Sequence, residues 1–216
     1  MKFKAVIFDL DGTLLDTIED LADSMNEVLA GFGFPGHDLQ AYKSFVGEGV
    51  EVLVRRALHR ESQSEELVQQ CLKNYREAYG KRWDQKTHPY DGVPEMLDAL
   101  TGLRLPLAIL SNKPHDLSRL VVAKLLPRWD FKRVFGARAS VPKKPDPAGA
   151  LEIAQELMIS PEHFLYLGDT AIDMKTALAA GMFPVGALWG FRTAEELTAN
   201  GARVLIEKPL DFLQQL

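Results

Sequence analysis

The sequence predicts an α/β fold: a Rossmann-like parallel sheet core with helices on both faces, and an inserted all-helical domain. Two observations carry this prediction. From Val93 onward, short apolar runs typical of buried strands alternate with segments whose apolar residues recur at helical spacing. Residues 16–88 hold helical patterns and no convincing strand, and they directly follow a first buried run at residues 4–8.

Each predicted element rests on its own apolar spacing. In the first helix, Ile18, Leu21, Met25 and Leu29 follow the helical period, and Gly31 closes the pattern. The same criteria predict strands at residues 4–8, 105–110, 164–167, 183–188 and 202–206, and helices at residues 18–30, 39–45, 50–58, 65–79, 114–126, 147–157, 171–180 and 193–200. We therefore expect an α/β core of residues 1–15 and 89–216, and a helical insert of residues 16–88.

Composition narrows the possible functions. The 216 residues are 46% hydrophobic and carry a net charge of −5 without a marked Lys/Arg cluster, which disfavours nucleic-acid binding. No run of 18 apolar residues predicts a membrane span, and the apolar run near the amino terminus is too short for a secretory signal. The single Cys71 fits a reducing compartment, so we expect a cytoplasmic protein.

The most informative motif follows the first predicted strand, where Asp9 and Asp11 flank Leu10 and precede Gly12 and Thr13. A chain that stayed extended would place both acids on one side, and Gly12 would then allow a sharp turn. Asp-Gly alone is a common polar turn, but the longer D-x-D-G-T string favours a functional site at the carboxyl end of a central strand.

Two further segments follow predicted strands. Ser111 and Asn112 precede Pro114, which we expect as the first residue of a helix whose backbone N–H groups could hold phosphate; an ordinary helix cap is the alternative. Asp169 and Asp173 lie about one helical turn apart, so both could face one cleft, although acids at a helix start are also favoured as caps.

A proline-flanked loop could direct Lys144 inward, with a solvated basic loop as the alternative. Asp9, Asp11, Asp169 and Asp173 in one pocket would repel one another, and their pKa values would rise. A divalent cation relieves this repulsion, and a few hard oxygen ligands suit Mg²⁺ better than Ca²⁺ or Zn²⁺. Lys144 would offset charge on Asp9 and on an incoming phosphate.

With these motifs in this order, the chain resembles the haloacid dehalogenase superfamily of phosphotransferases over essentially its whole length, and the helical insert is similar to a C1-type cap. The resemblance implies that Asp9 attacks phosphorus to form an aspartyl-phosphate. It also implies that Asp11 acts as general acid and base, and that Ser111 and Lys144 complete the catalytic set.

The metal set is likewise implied by the resemblance. Mg²⁺ would be held by Asp9, the backbone carbonyl of Asp11 and Asp169, with Asp173 in direct contact or one shell further out. An acid at position 11 argues against a dehalogenase. A pyrophosphatase, a phosphosugar mutase or a phosphatase of another small phosphate stays open, as does a non-enzymatic phosphate-binding or regulatory module.

Segments 45–50, 111–114, 143–147 and 189–191 carry the closest resemblance within the superfamily. They imply a small phosphorylated metabolite as partner, with 2-phosphoglycolate as the first candidate. Its contacts are expected from the backbone N–H groups around Gly47, Glu48 and Gly49, and from the side chains Asn112, Lys113 and Arg55. A solvated helix face is the alternative for Arg55. We expect a monomer or homodimer. The hinge between the α/β core and the helical insert is expected at residues 14–17 and 83–89.

Overall fold

The computed structural model describes residues 2–59 and 63–216. These fall into two units, which we call the α/β unit (Met1–Leu15 and Pro89–Leu216) and the helical unit (Asp16–His88). The elements in chain order are β1 Ala5–Phe8, β2 Leu15–Asp16, α1 Ile18–Gly31, α2 Leu39–Phe45, α3 Val50–Ala57, α4 Glu65–Gly80, β3 His88–Pro89, α5 Val93–Gly102, β4 Leu107–Pro114, α6 His115–Leu125, β5 Phe131–Ala137, α7 Ala148–Leu157, β6 Phe164–Gly168, α8 Ala171–Ala179, β7 Phe183–Ala187, α9 Ala194–Ala199 and β8 Val204–Ile206. Two short 3-10 helices cover Pro161–His163 and Pro209–Gln215.

The α/β unit is organised around one six-stranded sheet with the order β5-β4-β1-β6-β7-β8. All neighbouring strands pair in parallel. The chain moves outward from β1 through β4 to β5 and then returns to the other side of β1, so the strand order reverses between β1 and β6. Ligands of open α/β sheets bind at the carboxyl ends of the strands beside such a reversal. The predicted fold class is confirmed.

The central strand β1 is fully enclosed. All four of its residues are completely buried, because parallel strands flank it and helices cover both faces of the sheet. Ala5 and Ile7 face a core that includes Ile153 from α7 and Ala177 from α8. Phe8 faces the opposite side, where its ring lies 6.0 Å from that of Phe212. Packing on both faces of the sheet therefore fixes the position of Asp9, the residue that follows β1.

The structure differs from the predicted elements at two places that matter for the site. The strand β5 was absent from the prediction. The strand β4 continues to Pro114, so residues 111–114 are extended and α6 begins only at His115. The prediction that Pro114 is the first residue of this helix was therefore wrong by one position: a β-ladder to β5, which includes Pro114 paired with Ala137, keeps residues 111–114 extended.

The helical unit contains α1 to α4, which bury apolar residues such as Leu21 and Met25 between them. Its first helix also buries a carboxylate. Asp20 is 1% exposed and accepts hydrogen bonds from the backbone N–H groups of Lys86 and Thr87 and from the Thr87 hydroxyl, at 2.7–3.2 Å. These bonds fasten the start of α1 to the end of the connection that leaves α4. Among the residues described, no helix combines the length and apolarity needed to cross a membrane.

Candidate active site

Three adjacent strands of the sheet place polar residues at or near their carboxyl ends. Asp9 directly follows β1, Ser111 lies near the end of β4, and Asp169 directly follows β6. Because these strands are neighbours and parallel, their carboxyl ends lie side by side. The first turn of α8 adds Asp173, and the loop before α7 adds Lys144.

A cluster of three carboxylates forms the centre of the site. Ligand atoms from Asp9, Asp169 and Asp173 all lie within 4.8 Å of one another. All three residues are buried, and Asp169 and Asp173 are completely so. Three oxygen donors at this spacing can hold one divalent cation of the hard type, such as Mg²⁺, which prefers carboxylate ligands.

Lys144 lies inside this cluster as its internal counter-charge. Its Nζ atom is 2.9 Å from Oδ1 of Asp9 and 2.7 Å from Oδ1 of Asp173, and its side chain is 3% exposed. Burial alone would lower the pKa of Lys144, but the charges of Asp173 and Asp9 outweigh it and raise that pKa well above its usual value. Lys144 is therefore a permanent cation at this position.

Asn112 holds the loop that carries Lys144. Its side-chain amide accepts a hydrogen bond from the Lys144 backbone N–H and donates one to the Lys144 carbonyl, both at 3.0 Å. This two-bond contact, made from the end of β4, fixes the backbone of Lys144. Asn112 therefore orients the backbone of Lys144, and its predicted contact with substrate stays a prediction.

Burial and mutual repulsion perturb the acids. The pKa of Asp9 is raised well above its usual value, first by burial and then by the charge of Asp173, with Lys144 acting in the opposite direction. The pKa of Asp169 rises to about 7 through burial and the charge of Asp173, although bonds from Phe191 and Thr13 favour its ionised form. In the absence of a cation, Asp169 is therefore close to half protonated at neutral pH.

Each oxygen of Asp169 is oriented by a separate donor. The Thr13 hydroxyl donates to Oδ1 and the Phe191 backbone N–H donates to Oδ2, both at 2.9 Å. The turn after β1 comes so close to this carboxylate that a Cβ atom on Gly12 would lie 2.3 Å from Oδ2, and Gly12 has a φ of +88°. Gly12 is required here both for space and for its backbone conformation. Sequence reasoning gave no role to Thr13 or Phe191, although the threonine belongs to the motif that drew attention to Asp9.

Asp173 combines two tasks. Its Oδ2 accepts hydrogen bonds from the backbone N–H of Thr170 at 3.1 Å and from the Thr170 hydroxyl at 2.7 Å, completing a capping box at the start of α8. Its Oδ1 binds Lys144. The helix-cap role that the sequence offered as an alternative is thus present together with the contact to Lys144.

Asp11 does not contribute its carboxylate to the cluster. The turn that begins after Asp9 directs it instead to Lys113, whose Nζ atom is 3.0 Å from Oδ2 of Asp11, with both side chains largely buried. Oδ1 of Asp11 is buried and has no hydrogen-bond partner among residues 2–59 and 63–216. One carboxylate oxygen therefore remains available to exchange a proton, and the predicted metal contact through the backbone carbonyl of Asp11 stays a prediction.

The hydroxyl of Ser111 also keeps a free donor capacity. Its Oγ atom accepts a hydrogen bond from the backbone N–H of Lys113 at 3.2 Å, and Ser111 is 4% exposed. A serine hydroxyl that accepts in this way can still donate its own hydrogen to an anionic oxygen.

The predicted substrate contacts of the helical unit lie around α3. Gly47 and Gly49 have φ values of +125° and +93°, and Glu48 between them pairs with Arg56. Arg55 binds Glu51 and Glu65, at 2.8 Å each. The Arg55 guanidinium is thus already engaged with two acids, which is what the solvated-face alternative describes; its role in substrate binding stays a prediction.

Comparison with known proteins identifies the family. Residues 6–187 match the haloacid dehalogenase-like hydrolases, a span that includes all four motifs described above. The chain belongs to the haloacid dehalogenase-like hydrolase family. The resemblance that the four motifs indicated is confirmed.

Several similar proteins carry the name phosphoglycolate phosphatase. A phosphoglycolate phosphatase from Chromobacterium violaceum is 35% identical over 200 residues, covering 91% of this chain and 90% of that protein. A phosphoglycolate phosphatase from Pseudomonas putida is 32% identical over 208 residues, covering 94% of this chain and 76% of that protein. A crystal structure of a predicted phosphoglycolate phosphatase from Haemophilus somnus has a TM-score of 0.91 at 25% identity and covers 100% of this chain and 98% of that one.

Proposed function

We propose that the protein is a Mg²⁺-dependent phosphate-monoester hydrolase that acts through an aspartyl-phosphate on Asp9. One observation carries the proposal. In a haloacid dehalogenase-like hydrolase, the Asp9 carboxylate follows the central strand, lies in a buried cluster with two other acids, and binds Lys144 at 2.9 Å. This surrounding holds a carboxylate in one orientation while leaving it close to a cation site.

The donor set fits Mg²⁺. Asp9, Asp169 and Asp173 offer only carboxylate oxygens, and the backbone carbonyl of Asp11 would add a further oxygen ligand. When bound, Mg²⁺ would neutralise the acids and polarise phosphate oxygens. Repulsion within the cluster supports the assignment, since Lys144 binds Asp9 and Asp173, yet burial and the charge of Asp173 still raise the pKa of Asp169.

The chain's own residues divide the reaction between them. An oxygen of Asp9 forms a bond to phosphorus as the bond from phosphorus to the ester oxygen breaks, and Asp11 gives its proton to the leaving alkoxide. Asp11 then takes a proton from water, whose oxygen attacks phosphorus and releases Asp9. Lys144 keeps Asp9 aligned, and the Ser111 hydroxyl donates to a phosphate oxygen.

The substrate we propose is a small phosphorylated acid, with 2-phosphoglycolate first. The names of the relatives from Chromobacterium violaceum and Pseudomonas putida support it. We assign the helical unit as a C1-type cap, with its contacts at Gly47, Glu48, Gly49 and Arg55, while Asn112 and Lys113 act from the α/β unit. We expect a cytoplasmic enzyme that is a monomer or homodimer.

The decisive experiment measures phosphate release with Mg²⁺ and with EDTA. The wild-type protein should release phosphate only with Mg²⁺, and Asp9→Asn should fold normally yet keep less than about a thousandth of the turnover, a loss of more than ~4 kcal/mol of transition-state stabilisation. Phosphate binding without release would favour a binding module instead. Higher activity on pyrophosphate or a hexose phosphate than on 2-phosphoglycolate would remove the substrate assignment and keep the hydrolase.

A second experiment tests the cap contact. Arg55→Ala should raise the Michaelis constant for 2-phosphoglycolate and spare a neutral aryl phosphate, because only the former has a carboxylate for the guanidinium to bind. The control is Arg76→Ala on α4, an exposed arginine of the same unit. Equal losses on both substrates would show that Arg55 acts on folding rather than on the substrate.

A further inference from the structure

A loop that follows β7 supports the carboxylate cluster from the outside. Residues 189–191, which we call the β7 loop, contact both Asp169 and the turn after β1. The Trp189 indole Nε1–H donates to the Thr13 carbonyl at 2.9 Å, and the Phe191 backbone N–H donates to Oδ2 of Asp169 at 2.9 Å. Two residues of one short loop therefore act on two different parts of the site.

These bonds close into a ring. Trp189 holds the backbone of Thr13, the Thr13 hydroxyl holds Oδ1 of Asp169, and Phe191 holds Oδ2 of the same carboxylate. With each oxygen accepting one fixed hydrogen bond, the carboxylate plane cannot rotate. One lone-pair direction on each oxygen remains for a cation.

The packing inside the ring leaves no alternative arrangement. A Cβ atom on Gly190 would lie 2.3 Å from Cβ of Asp169 and 2.4 Å from the carbonyl oxygen of Gly12. The β7 loop, the Asp169 side chain and the turn after β1 are thus in direct van der Waals contact. A shift of Thr13 would be transmitted to Asp169 rather than absorbed by empty space.

We propose that Trp189 is a positioning residue that sets the affinity of the site for Mg²⁺ by fixing Thr13, and through it the orientation of Asp169. The proposal rests on the proposed Mg²⁺-dependent function. The indole is suited to this task because it is a donor only and cannot exchange its role with the carbonyl it binds. Because the Trp189 indole acts through its bond to the Thr13 carbonyl, its loss should alter metal binding and leave the chemical step intact.

The test replaces Trp189 by Phe, which keeps an aromatic ring and removes the N–H. Mg²⁺ affinity is measured in two ways: from the rise in melting temperature of the substrate-free protein as Mg²⁺ is added, and from the Mg²⁺ concentration that gives half-maximal phosphate release. We expect roughly 3- to 10-fold weaker Mg²⁺ binding in both, below the 10- to 100-fold typical of residues that touch a metal ligand directly. At saturating Mg²⁺, kcat and KM should stay near wild type.

The chain offers a matched control in Trp129. Its Nε1–H donates to Oδ1 of Asp98 at 2.9 Å, so the same donor makes a bond of the same length elsewhere in the α/β unit, here to a carboxylate. Trp129→Phe should leave Mg²⁺ affinity unchanged. Equal affinities in Trp189→Phe and wild type, or equal weakening in both tryptophan variants, would overturn the proposal.

A second pair of variants probes the next bond of the ring. Thr13→Val keeps the shape and removes the hydroxyl, and Thr13→Ser keeps the hydroxyl. We expect weaker Mg²⁺ binding for the valine variant and near-normal binding for the serine variant, and equal affinity in the two would also count against the ring. If Mg²⁺ changes neither the melting temperature nor the phosphate release of the wild-type protein, the proposed function itself is refuted.

Discussion

Removing the charge of Lys144 should destabilise the protein in a way that Mg²⁺ reverses. Lys144→Met keeps most of the side-chain length and deletes the Nζ atom that lies 2.9 Å from Asp9 and 2.7 Å from Asp173. Breaking a buried ion pair by removing one partner costs about 3–5 kcal/mol, because the other charge stays buried without compensation. For a chain of this size, that corresponds to a fall in melting temperature of roughly 6–20 °C.

The assay compares melting temperatures in EDTA and in Mg²⁺. The fall should be largest in EDTA at pH 8, where the carboxylates are ionised, and smaller in Mg²⁺, because the cation supplies the missing positive charge. Lys143→Met is the matched control, since the neighbouring lysine is exposed on the same loop. Two results would refute the reasoning: Lys144→Met and Lys143→Met having the same melting temperature in EDTA, or Mg²⁺ raising the melting temperature of Lys144→Met no more than that of wild type.

Three further predictions concern stability. Because Asp169 has a pKa of about 7 in the folded protein against an ordinary value near 4, its contribution to stability is present at low pH and is lost as pH rises through about 7. The melting temperature in EDTA should fall between pH 6 and pH 8, Mg²⁺ should raise it more at pH 8, and a flat profile would contradict the assignment. Gly190→Ala should cost about 1–3 kcal/mol in unfolding free energy, measured by urea titration, and should weaken Mg²⁺ binding. Gly102→Ala is the control: a Cβ there meets no atom within 4 Å, so both the unfolding free energy and Mg²⁺ binding should stay unchanged. Asp20→Ala leaves the two buried donors of Thr87 and the part-buried N–H of Lys86 without their acceptor and should cost about 2–4 kcal/mol in the same titrations; Asp23→Ala should cost far less, since its ion pair is exposed to solvent, and equal losses would argue against the Asp20 network.

Apolar patterning was sufficient for the centre of the sheet and for its edge strand β8, and insufficient for the other edge strand, β5. The strands β1 and β6 are fully buried, and such strands appear in sequence as unbroken apolar runs. The strand β5 lies at the end of the strand order, beside β4, and Lys132 and Arg133 interrupt its apolar pattern. An edge strand needs fewer apolar residues because solvent reaches part of it, so its signal in the sequence is weak.

The site could be predicted where residue type defines the chemistry. Acids that follow neighbouring strands indicated a cation site at Asp9 and Asp169, since carboxylates have few other reasons to be buried together. The orienting bonds could not be predicted in this way. Asn112 acts on Lys144 across 32 positions, and Phe191 acts through a backbone N–H that every residue except proline possesses. Such contacts depend on the register between elements, which the tertiary fold alone determines.

The enclosure of β1 has a consequence for how the protein loses activity when it unfolds. The amide of Asp9 donates to the Leu167 carbonyl at 2.9 Å, so the proposed nucleophile continues the hydrogen-bonded ladder between β1 and β6. We expect local openings at the sheet edges to leave this ladder closed, and its amides to exchange with solvent only when the whole α/β unit opens. Local unfolding of β5 or β8 must therefore spread across the strands between them and β1 before it displaces Asp9. Catalytic competence should accordingly disappear in one step with the sheet itself, so residual activity after heating counts the surviving folded molecules rather than a weakened population.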